Sequence, residues 1–306
     1  MSGDDTSGLK GGPIIRYGGK GAIAPHLVPH FAPARVYAEP FFGGGSVFYR
    51  VPPGTYEREV VNDLDSSIVA FFRALRDRPN DLLRVCELTP YAREEFIACI
   101  PKSDDPLEEA RRVWVRARQG FSGHAESVGD WGRSDGAKWR PDAAASKLRS
   151  LQTYASRIAR VEIDSIDAAE FIDKRGNERT FIYADPPYVQ ATRFRDCGGS
   201  SGRGWYGHEM ADADHRRVAD ALRRASERGT KVAVSGYPSA LYDELFKGWR
   251  TIEVDVPLAA SKHGGARRTE VLWMSYPEAE SFAGIEAAKR DARQPSLFDA
   301  RRPEAP

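Results

Sequence analysis

The chain has 306 residues, 41% of them hydrophobic, and a formal net charge of +1. This length suits one large domain or a core domain with an insertion, and the apolar content is enough for a hydrophobic core. So small a net charge excludes a globally basic surface, so a polyanion site would have to be a local patch. No stretch approaches the roughly 20 apolar residues of a membrane span, and no signal-peptide pattern opens the chain. We therefore expect a cytoplasmic protein.

The first 78 residues alternate strand and helix signals. Residues 1–12 are predicted to be disordered, and the elements that follow are a helix over 22–31, a strand over 35–38, a strand over 59–61 and a helix that Asp65 or Ser66 caps. A glycine run lies between the two strands. The order strand, glycine loop, helix, strand, acid is the opening of an α/β fold that binds a nucleotide-like ligand at its strand ends.

Residues 79–160 differ in pattern, since they are helical, rich in arginine and interrupted by a glycine-rich loop. We predict that they form an inserted, mostly helical subdomain between two parts of a catalytic domain, 13–78 and 161–277. In the second part, strands are predicted over 179–184, 230–235, 249–256 and 269–276, and helices over 212–228 and 241–246. From Glu278 the charge density rises, and 278–306 is predicted to be a flexible tail.

The segment AEPFFGGGSVF places three consecutive glycines, Gly43 to Gly45, directly after a predicted strand. Glycine permits positive φ and close approach of the backbone to a ligand, and the helix expected to follow would offer free N–H groups to a carboxylate. The spacing is neither that of a P-loop nor GxGxxG. Asp63, just past the next strand, either accepts hydrogen bonds from ribose hydroxyls or caps a helix. Together the loop and the acid predict an adenosine-bearing cofactor, with a purely structural turn as the alternative.

The segment IYADPPYV sets Asp185, Pro186, Pro187 and Tyr188 behind a buried strand. The prolines fix φ and remove donors, which leaves carbonyl oxygens free, while Asp185 adds a carboxylate and Tyr188 a ring for stacking. Such a group suits a planar ring that bears an amino group. It predicts amino methylation of a nucleobase that has left the duplex stack. The alternative is a strand-end turn with a surface tyrosine.

These motifs together resemble the Dam-type (D12 class) DNA adenine-N6 methyltransferase family, especially its phage and prophage members. The resemblance runs from about Ile14 to Tyr276 and comprises RYGGK, EPFFGGGSVF, EVVNDLD, TPYAREEF, YADPPY, SGYPSALYDEL and TEVLWMSY in the family's order. It implies an α/β fold: a Rossmann-like S-adenosylmethionine-dependent methyltransferase sheet with an inserted helical target-recognition subdomain. It also implies S-adenosyl-L-methionine as cofactor and double-stranded DNA as substrate.

The resemblance implies a role for each matching residue. The cofactor would be held at its methionine end by Tyr17, Gly18, Gly19 and Lys20, along its floor by Glu39, Pro40, Phe41, Gly43, Gly44 and Gly45, at its ribose by Asp63, and near its adenine by Ile166. The residues that bind and activate the flipped adenine would be Asp185, Pro186, Pro187 and Tyr188, with Asp185 also facing the cofactor. Many relatives carry one more residue in the first motif, so Lys20 and Gly21 remain alternatives.

Two basic stretches are candidates for the DNA surface. The first is a predicted helix with Arg111, Arg112, Arg116 and Arg118, followed by a loop with Phe121 and His124; the second is a loop with Arg193, Arg195, Tyr206 and His208. Arginine and lysine near phosphates supply affinity, and arginine on guanine edges supplies specificity. A solvated helix face is the alternative for the first stretch.

Near the end of the chain, QPSLF resembles the peptide by which bacterial proteins dock on the DNA sliding clamp. Gln294, Leu297 and Phe298 would be its anchors in an otherwise polar segment.

Several alternatives stay open at this point. They are methylation of cytosine N4, of RNA or of a protein amide, and a catalytically inactive DNA-binding module. The three cysteines and the scattered histidines have no ligand spacing, so no metal is predicted. The target sequence, a paired restriction enzyme and the oligomeric state are not readable from the sequence.

Overall fold

A computed structural model of the chain describes residues 9, 11–14, 16, 18–120, 131–132, 141–189, 210–257 and 267–293. Within these residues seven strands form one sheet: β1 (Val36–Glu39), β2 (Arg58–Asn62), β3 (Glu162–Asp164), β4 (Thr180–Ala184), β5 (Lys231–Gly236), β6 (Arg250–Pro257) and β7 (Arg267–Met274). The order across the sheet is β3-β2-β1-β4-β5-β7-β6. Strands β1 to β5 pair in parallel, whereas β7 runs antiparallel to both of its neighbours.

Strands β1, β4 and β5 are buried on both faces, which explains their continuous apolar runs. All five residues of β4 are buried, and alternate residues point to opposite sides. Phe181 and Tyr183 lie in one core cluster and Ile182 and Ala184 in the other. The order of strands along the chain reverses between β1 and β4. In open α/β sheets a ligand crevice forms at that reversal, beyond the carboxyl ends of the strands.

Helices cover both faces of the sheet, as predicted for a Rossmann-like fold. They are α1 (Ala24–Leu27), α2 (Ser66–Asp77), α3 (Pro79–Glu87), α4 (Arg93–Ala98), α5 (Pro106–Gln119), α6 (Pro141–Ile158), α7 (Ala168–Arg175), α8 (Asp212–Glu227), α9 (Ala240–Leu245) and α10 (Phe282–Arg293). Helices α7, α8 and α9 bury their apolar residues with one face of the sheet, and α1, α2, α3, α5 and α6 with the other. Asp65 caps α2 by accepting a hydrogen bond from the Ser67 backbone N–H at 3.0 Å, one of the two predicted caps.

The predicted insertion is helical where the structure describes it, in α3, α4, α5 and α6. Phe96, Cys99 and Val115 form a small cluster of their own, but other apolar residues of the insertion join the main core. Leu82, Val113 and Tyr154 belong to the same buried cluster as Tyr37 of β1. Two of its side chains also hold the N-terminal segment: the Tyr154 hydroxyl donates to the Gly11 carbonyl at 2.8 Å, and Arg118 donates to the carbonyl of Pro13. Its role as a target-recognition subdomain stays a prediction.

The predicted flexible tail from Glu278 differs from the structure in its first part, because α10 spans Phe282–Arg293. The helix is anchored where it begins. The Phe282 backbone N–H donates to the Phe31 carbonyl at 2.9 Å, and its ring meets Tyr56 edge-on at 6.3 Å. The high charge density predicted a flexible segment, but Phe282 attaches the beginning of α10 to the core.

A buried ion pair joins α6 to the sheet. The Arg157 guanidinium donates to Glu59 of β2, at 2.6 Å for one of its two bonds, and lies 3.9 Å from the centre of the Phe48 ring. Only 5% of the Arg157 side chain and 11% of the Glu59 side chain are exposed. Removing one partner would leave the other charge buried and uncompensated.

We expect Arg157→Met to lower the free energy of unfolding by about 3 kcal/mol, since breaking a buried pair costs roughly 3–5 kcal/mol. Urea denaturation measures this. The double variant Arg157→Met with Glu59→Gln should recover much of the loss, and Arg35→Met, in an exposed pair with Glu57, should leave stability nearly unchanged. Equal losses in the single and double variants would contradict the argument.

Candidate active site

A cavity of about 450 Å³ lies at the carboxyl ends of the parallel strands, at the reversal between β1 and β4. Its walls come from four parts of the chain that follow or precede these strands. They are Arg16 and Gly18 to Lys20 before α1, Glu39 to Gly44 with Ser46 and Val47 after β1, Asn62 to Leu64 after β2, and Asp185 to Tyr188 after β4. The remaining side is formed by Asp167, Ala168, Met210, Asp214, Arg217 and Val218. The motifs predicted to bind cofactor and base therefore share one cavity.

The glycine loop needs glycine at two of its three positions. Gly43 and Gly45 have φ of 54° and 70°, a region that other residues adopt only with strain. A Cβ on Gly45 would also lie 2.9 Å from the Phe42 and Tyr49 rings. The expectation that this loop opens a helix is wrong. The chain continues into a single 3₁₀ turn, Phe48–Arg50, and cannot go on as a helix because Pro52 and Pro53 follow.

Asp63 is fixed by the glycine loop. Its Oδ2 accepts a hydrogen bond from the Gly43 backbone N–H at 2.8 Å, and its Oδ1 accepts one from the Asp65 backbone N–H at 2.9 Å. Arg16 approaches the same carboxylate, with Nη1 at 3.4 Å from Oδ2. Asp65, not Asp63, is the cap of α2. The capping alternative for Asp63 is thereby corrected, and its carboxylate lines the cavity.

Asp185 stands at the end of β4, with 20% of its side chain exposed. Its Oδ1 accepts a hydrogen bond from the Ser235 hydroxyl at 2.9 Å and lies 2.8 Å from the Lys20 ammonium. Ser235 in turn meets the Tyr183 hydroxyl at 2.8 Å. Both contacts use the same oxygen. Within the described residues Oδ2 has no partner, so the carboxylate has a fixed orientation and one oxygen available to a ligand.

Tyr188 is less open than the predicted stacking surface, because its side chain is buried. Its hydroxyl accepts a hydrogen bond from Lys20 Nζ at 2.6 Å. One face of its ring is covered by Tyr237, at a centroid distance of 4.0 Å and an interplanar angle of 25°. The ring is therefore held in place from two sides.

Lys20 is the cation at the centre of this group, and only 4% of its side chain is exposed. Besides Asp185 and Tyr188, its ammonium lies 3.1 Å from Glu270 Oε1 of β7. Burial alone would lower the pKa of Lys20, but the carboxylates of Asp185 and Glu270 raise that pKa well above its ordinary value. The lysine is therefore charged at any physiological pH. Lys20 lines the cavity, and Gly21 is not among the lining residues.

Glu39 ends β1 with its side chain buried, and the Tyr37 hydroxyl donates to it at 2.7 Å. Burial raises the pKa of Glu39 well above its ordinary value; the hydrogen bond from Tyr37 lowers it in part, and the charges of Asp185 and Asp63 raise it further. A raised pKa means that the fold favours the neutral carboxyl. A cationic group bound in the cavity would favour the carboxylate instead.

Most of the predicted cofactor residues line the cavity: Gly18, Gly19, Lys20, Glu39, Pro40, Phe41, Gly43, Gly44, Asp63 and Asp185. Ile166 is not among the lining residues, but its backbone N–H and carbonyl bond to the Asn62 side chain at 2.9 and 3.0 Å, and Asn62 does line it. Gly45 is not among the lining residues, but its positive φ sets the path of the loop. The pattern missed Arg16, Ser235 and Glu270, whose contacts come from distant parts of the chain.

Two arginines of α5, Arg116 and Arg118, bind other groups of the protein. Arg116 is 6% exposed, pairs with Glu109 at 3.0 Å and donates to the Cys99 carbonyl at 2.7 Å. Arg118 lies over the Trp114 ring at 4.7 Å besides its bond to Pro13. The prediction that these two face DNA is corrected, because Arg116 is buried against Glu109 and Cys99, and the Arg118 guanidinium is engaged by Trp114 and Pro13.

Arg112 is only partly buried, and its Nε donates to Glu108 at 2.8 Å. Its role toward DNA stays a prediction. Other predicted site residues lie outside the described part of the chain: Tyr17, Phe121, His124, Arg193, Arg195, Tyr206, His208, Gln294, Leu297 and Phe298. The clamp-binding hypothesis therefore stays a prediction as well.

Among the residues that the structure describes, no group of three or more His, Cys, Asp or Glu side chains could hold a metal ion. In the same part of the chain, every helix is too short or too polar to cross a membrane.

Comparison with known proteins identifies the family. A family model for the D12 class N6 adenine-specific DNA methyltransferases matches residues 17–257. The chain therefore belongs to this family, and its activity is the methylation of adenine N6 in DNA. The resemblance inferred from the motifs is confirmed, and adenine is favoured over the alternative of cytosine N4.

Individual relatives are distant but extend over most of the chain. A Type II methyltransferase, M1.LlaDCHI, of Lactococcus lactis subsp. cremoris is 26% identical over 278 residues, 85% of this chain and 93% of that protein. A DNA adenine methylase of Vibrio cholerae serotype O1 is 24% identical over 278 residues, 87% of this chain and 96% of that protein. A DNA N-6-adenine-methyltransferase of Escherichia phage P1 is 23% identical over 75% of this chain and 30% of that protein.

The raised pKa of Glu39 predicts a pH-dependent stability. Because the folded-state pKa exceeds the unfolded value, the stability linked to this group is complete below the unfolded pKa and falls as the pH rises through the folded one. Glutamine removes that loss. We expect Glu39→Gln to unfold at a temperature higher than the wild type by on the order of a few °C at pH 8, with a smaller difference at pH 5.

Differential scanning calorimetry at the two pH values measures this effect. Glu57→Gln is the matched control, since Glu57 is exposed and the hydrogen bond from Arg35 lowers the pKa of its carboxyl. It should show no stabilisation that grows with pH. A difference between Glu39→Gln and wild type that is independent of pH would refute the assignment.

Proposed function

We propose that the cavity binds S-adenosylmethionine and that the Asp185–Tyr188 turn presents the N6 amino group of a flipped adenine to it. The observation that carries the proposal is the fixed carboxylate of Asp185, which keeps Oδ2 available at the wall of the cavity. A volume of about 450 Å³ falls within the roughly 300–1,000 Å³ of small-molecule sites.

The charges of the cavity support this cofactor. S-adenosylmethionine carries a sulfonium and an ammonium group, and three carboxyl groups, Glu39, Asp63 and Asp185, line the wall. Ribose hydroxyls would donate to Asp63, which the Gly43 N–H already orients. Arg16 would share that carboxylate with the ribose. Positive φ at Gly43 brings the backbone close to the ligand without a side chain in the way.

When bound, S-adenosylmethionine supplies an electrophilic methyl group on its sulfonium. The N6 lone pair of adenine is delocalised into the ring, so the protein has to make that nitrogen more nucleophilic. Asp185 Oδ2 accepts one amino hydrogen, and a backbone carbonyl at Pro186 or Pro187 accepts the other. This draws N6 toward a tetrahedral geometry. The adenine ring would lie beside Tyr188, which lines the cavity.

With the cofactor bound, its methyl group would pass to N6 as the carbon–sulfur bond breaks, and N6 would release one proton. Asp185 would accept that proton and pass it to solvent. The negative carboxylate favours this transfer, because it is oriented before the reaction begins. Since the substrate is DNA, we also propose a cytoplasmic location.

The first test is long-read sequencing, with modification calling, of DNA from a methylation-deficient host that expresses the protein. We expect N6-methyladenine in a defined motif with the wild type and none with Asp185→Ala. Asp220→Ala, an exposed acid on α8, is the matched control and should methylate as the wild type does. Equal methylation by Asp185→Ala and the wild type would contradict the role of Asp185 as acceptor of the amino hydrogen.

A second test concerns the cofactor. We expect Asp63→Ala to weaken S-adenosylmethionine binding on the order of ten- to a hundred-fold, since a hydrogen bond to a charged group contributes about 1.5–3 kcal/mol. Isothermal titration calorimetry measures the dissociation constant. Asp65→Asn is the control, because asparagine still caps α2 and Asp65 does not line the cavity. Unchanged affinity in Asp63→Ala would remove the ribose assignment.

A further inference from the structure

Three polar side chains of two neighbouring strands lie on one face of the sheet, next to the cavity. Tyr183 belongs to β4, and Asp185 follows it by two residues, so the alternation of side chains directs both to the same face. In the neighbouring strand β5, Ala233 is paired with Tyr183, and Ser235 lies two residues further on. The parallel register therefore sets Ser235 beside both Tyr183 and Asp185.

These three side chains are joined by consecutive hydrogen bonds. The Ser235 hydroxyl donates to Asp185 Oδ1 at 2.9 Å, and the Tyr183 hydroxyl lies 2.8 Å from the Ser235 oxygen. Serine has one hydroxyl hydrogen, and the carboxylate takes it, so Tyr183 must be the donor to Ser235. Tyr183 keeps its hydrogen for this bond, because burial raises the pKa of its hydroxyl well above the ordinary value. The bonds therefore run in one direction, from Tyr183 through Ser235 to Asp185.

Both hydroxyl groups are shielded from water. The side chains of Tyr183 and Ser235 are fully buried, and neither belongs to the described residues that line the cavity. Water therefore does not compete for these hydrogen bonds, and a low local dielectric strengthens them. Asp185 is thus held from the protein interior, while its own side chain lines the cavity.

The carboxylate of Asp185 needs a directional donor to keep one orientation. The last torsion angle of an aspartate side chain has a broad, roughly two-fold energy profile, so the side chain itself does not distinguish its two oxygens. Lys20 also contacts Oδ1, at 2.8 Å, but an ammonium is a compact charge with rotatable donors. The Ser235 hydroxyl, which Tyr183 orients, supplies a direction that the ammonium does not.

We propose that Ser235 is a positioning residue for methyl transfer and that Tyr183 acts through it. Together they keep Oδ1 of Asp185 toward the interior, so that Oδ2 meets the amino group of the flipped adenine. The inference rests on the proposed function, in which Asp185 accepts a hydrogen from N6. It makes the two hydroxyl groups important for the rate of transfer and unimportant for holding the cofactor.

The test uses the full chain with S-adenosylmethionine and a duplex that carries the motif found by sequencing. Single-turnover rates are measured with both substrates saturating, and calorimetry gives the dissociation constant of the cofactor. We expect Ser235→Ala to slow methyl transfer on the order of ten- to a hundred-fold, since a misplacement of about 1 Å reduces rates by up to about a hundred-fold. Its cofactor affinity should stay within about twofold of the wild type. A wild-type rate, or a loss of cofactor affinity as large as the loss of rate, overturns the inference.

Tyr183→Phe removes only the more distant hydroxyl. We expect a smaller loss of rate, roughly three- to tenfold, because Ser235 can still donate to Asp185 but no longer has a fixed direction. The double variant Ser235→Ala with Tyr183→Phe decides whether Tyr183 acts through Ser235. Its rate should lie within about twofold of that of Ser235→Ala, whereas independent contributions would multiply the two losses. Multiplied losses overturn the proposed chain of bonds.

Matched controls separate positioning from stability. Ser281→Ala removes a buried hydroxyl that donates to the Glu278 carbonyl at 2.7 Å, and Tyr56→Phe removes one that donates to the Ala32 carbonyl at 3.1 Å. Neither Ser281 nor Tyr56 is among the residues that line the cavity. Both variants should lower the unfolding temperature and leave the saturated rate unchanged. A control that slows transfer as much as Ser235→Ala overturns the inference.

The two hypotheses fail in different ways. A wild type that folds and binds the cofactor but transfers no methyl group to adenine contradicts the proposed function. An active wild type with an equally active Ser235→Ala contradicts only the role of Ser235. If Ser235→Ala does not fold, Tyr183→Phe carries the test alone, and a rate equal to that of the wild type overturns the proposal.

Discussion

A lysine ammonium buried to 4% exposure is stable in a protein only among negative charges, because desolvation otherwise drives off its proton. Lys20 meets this requirement with groups from two distant strands, Asp185 after β4 and Glu270 in β7. It thereby attaches the segment before α1 to the edge of the sheet. The walls of the cavity depend on that attachment, since Arg16 and Gly18 to Lys20 form one side of it.

The sheet explains why these groups can meet at all. Strands β1, β2 and β4 are parallel, so the segments that follow them leave at one edge, and the reversal of strand order opens a crevice between them. The glycine loop closes the floor of this crevice through the bond from Gly43 to Asp63. The topology of the sheet alone thus brings together the segments that form the cavity.

Much of this could be predicted from the sequence, because strand patterns and the Asp185–Tyr188 turn are local signals. Apolar runs located four of the five parallel strands, and the glycine run and DPPY followed directly from them; the short edge strand β3 was missed. The positive φ of Gly45 was not visible in the pattern. Nor was the partner of each arginine: helical spacing locates Arg116 on α5, but only the packing of α5 turns it toward Glu109. Glu270 was missed for a similar reason, since it depends on the register of an antiparallel strand.

The helices of the predicted insertion do more than cover the sheet. Through Tyr154 and Arg118 they hold the carbonyls of Gly11 and Pro13, a few residues before Arg16 and Lys20. Helices α5 and α6 are thus bonded directly to the segment that leads to the wall of the cavity.

The antiparallel strand β7 has a consequence for synthesis. It begins at Arg267 and lies between β5 and β6, so the two halves of the site are separated by some 250 residues of chain, from Lys20 to Glu270. When the glycine loop of a nascent chain has been synthesised, neither Asp185 nor Glu270, the carboxylate partners of Lys20, is yet present. The chain has to be synthesised beyond Glu270 before Lys20 can have both of its carboxylate partners.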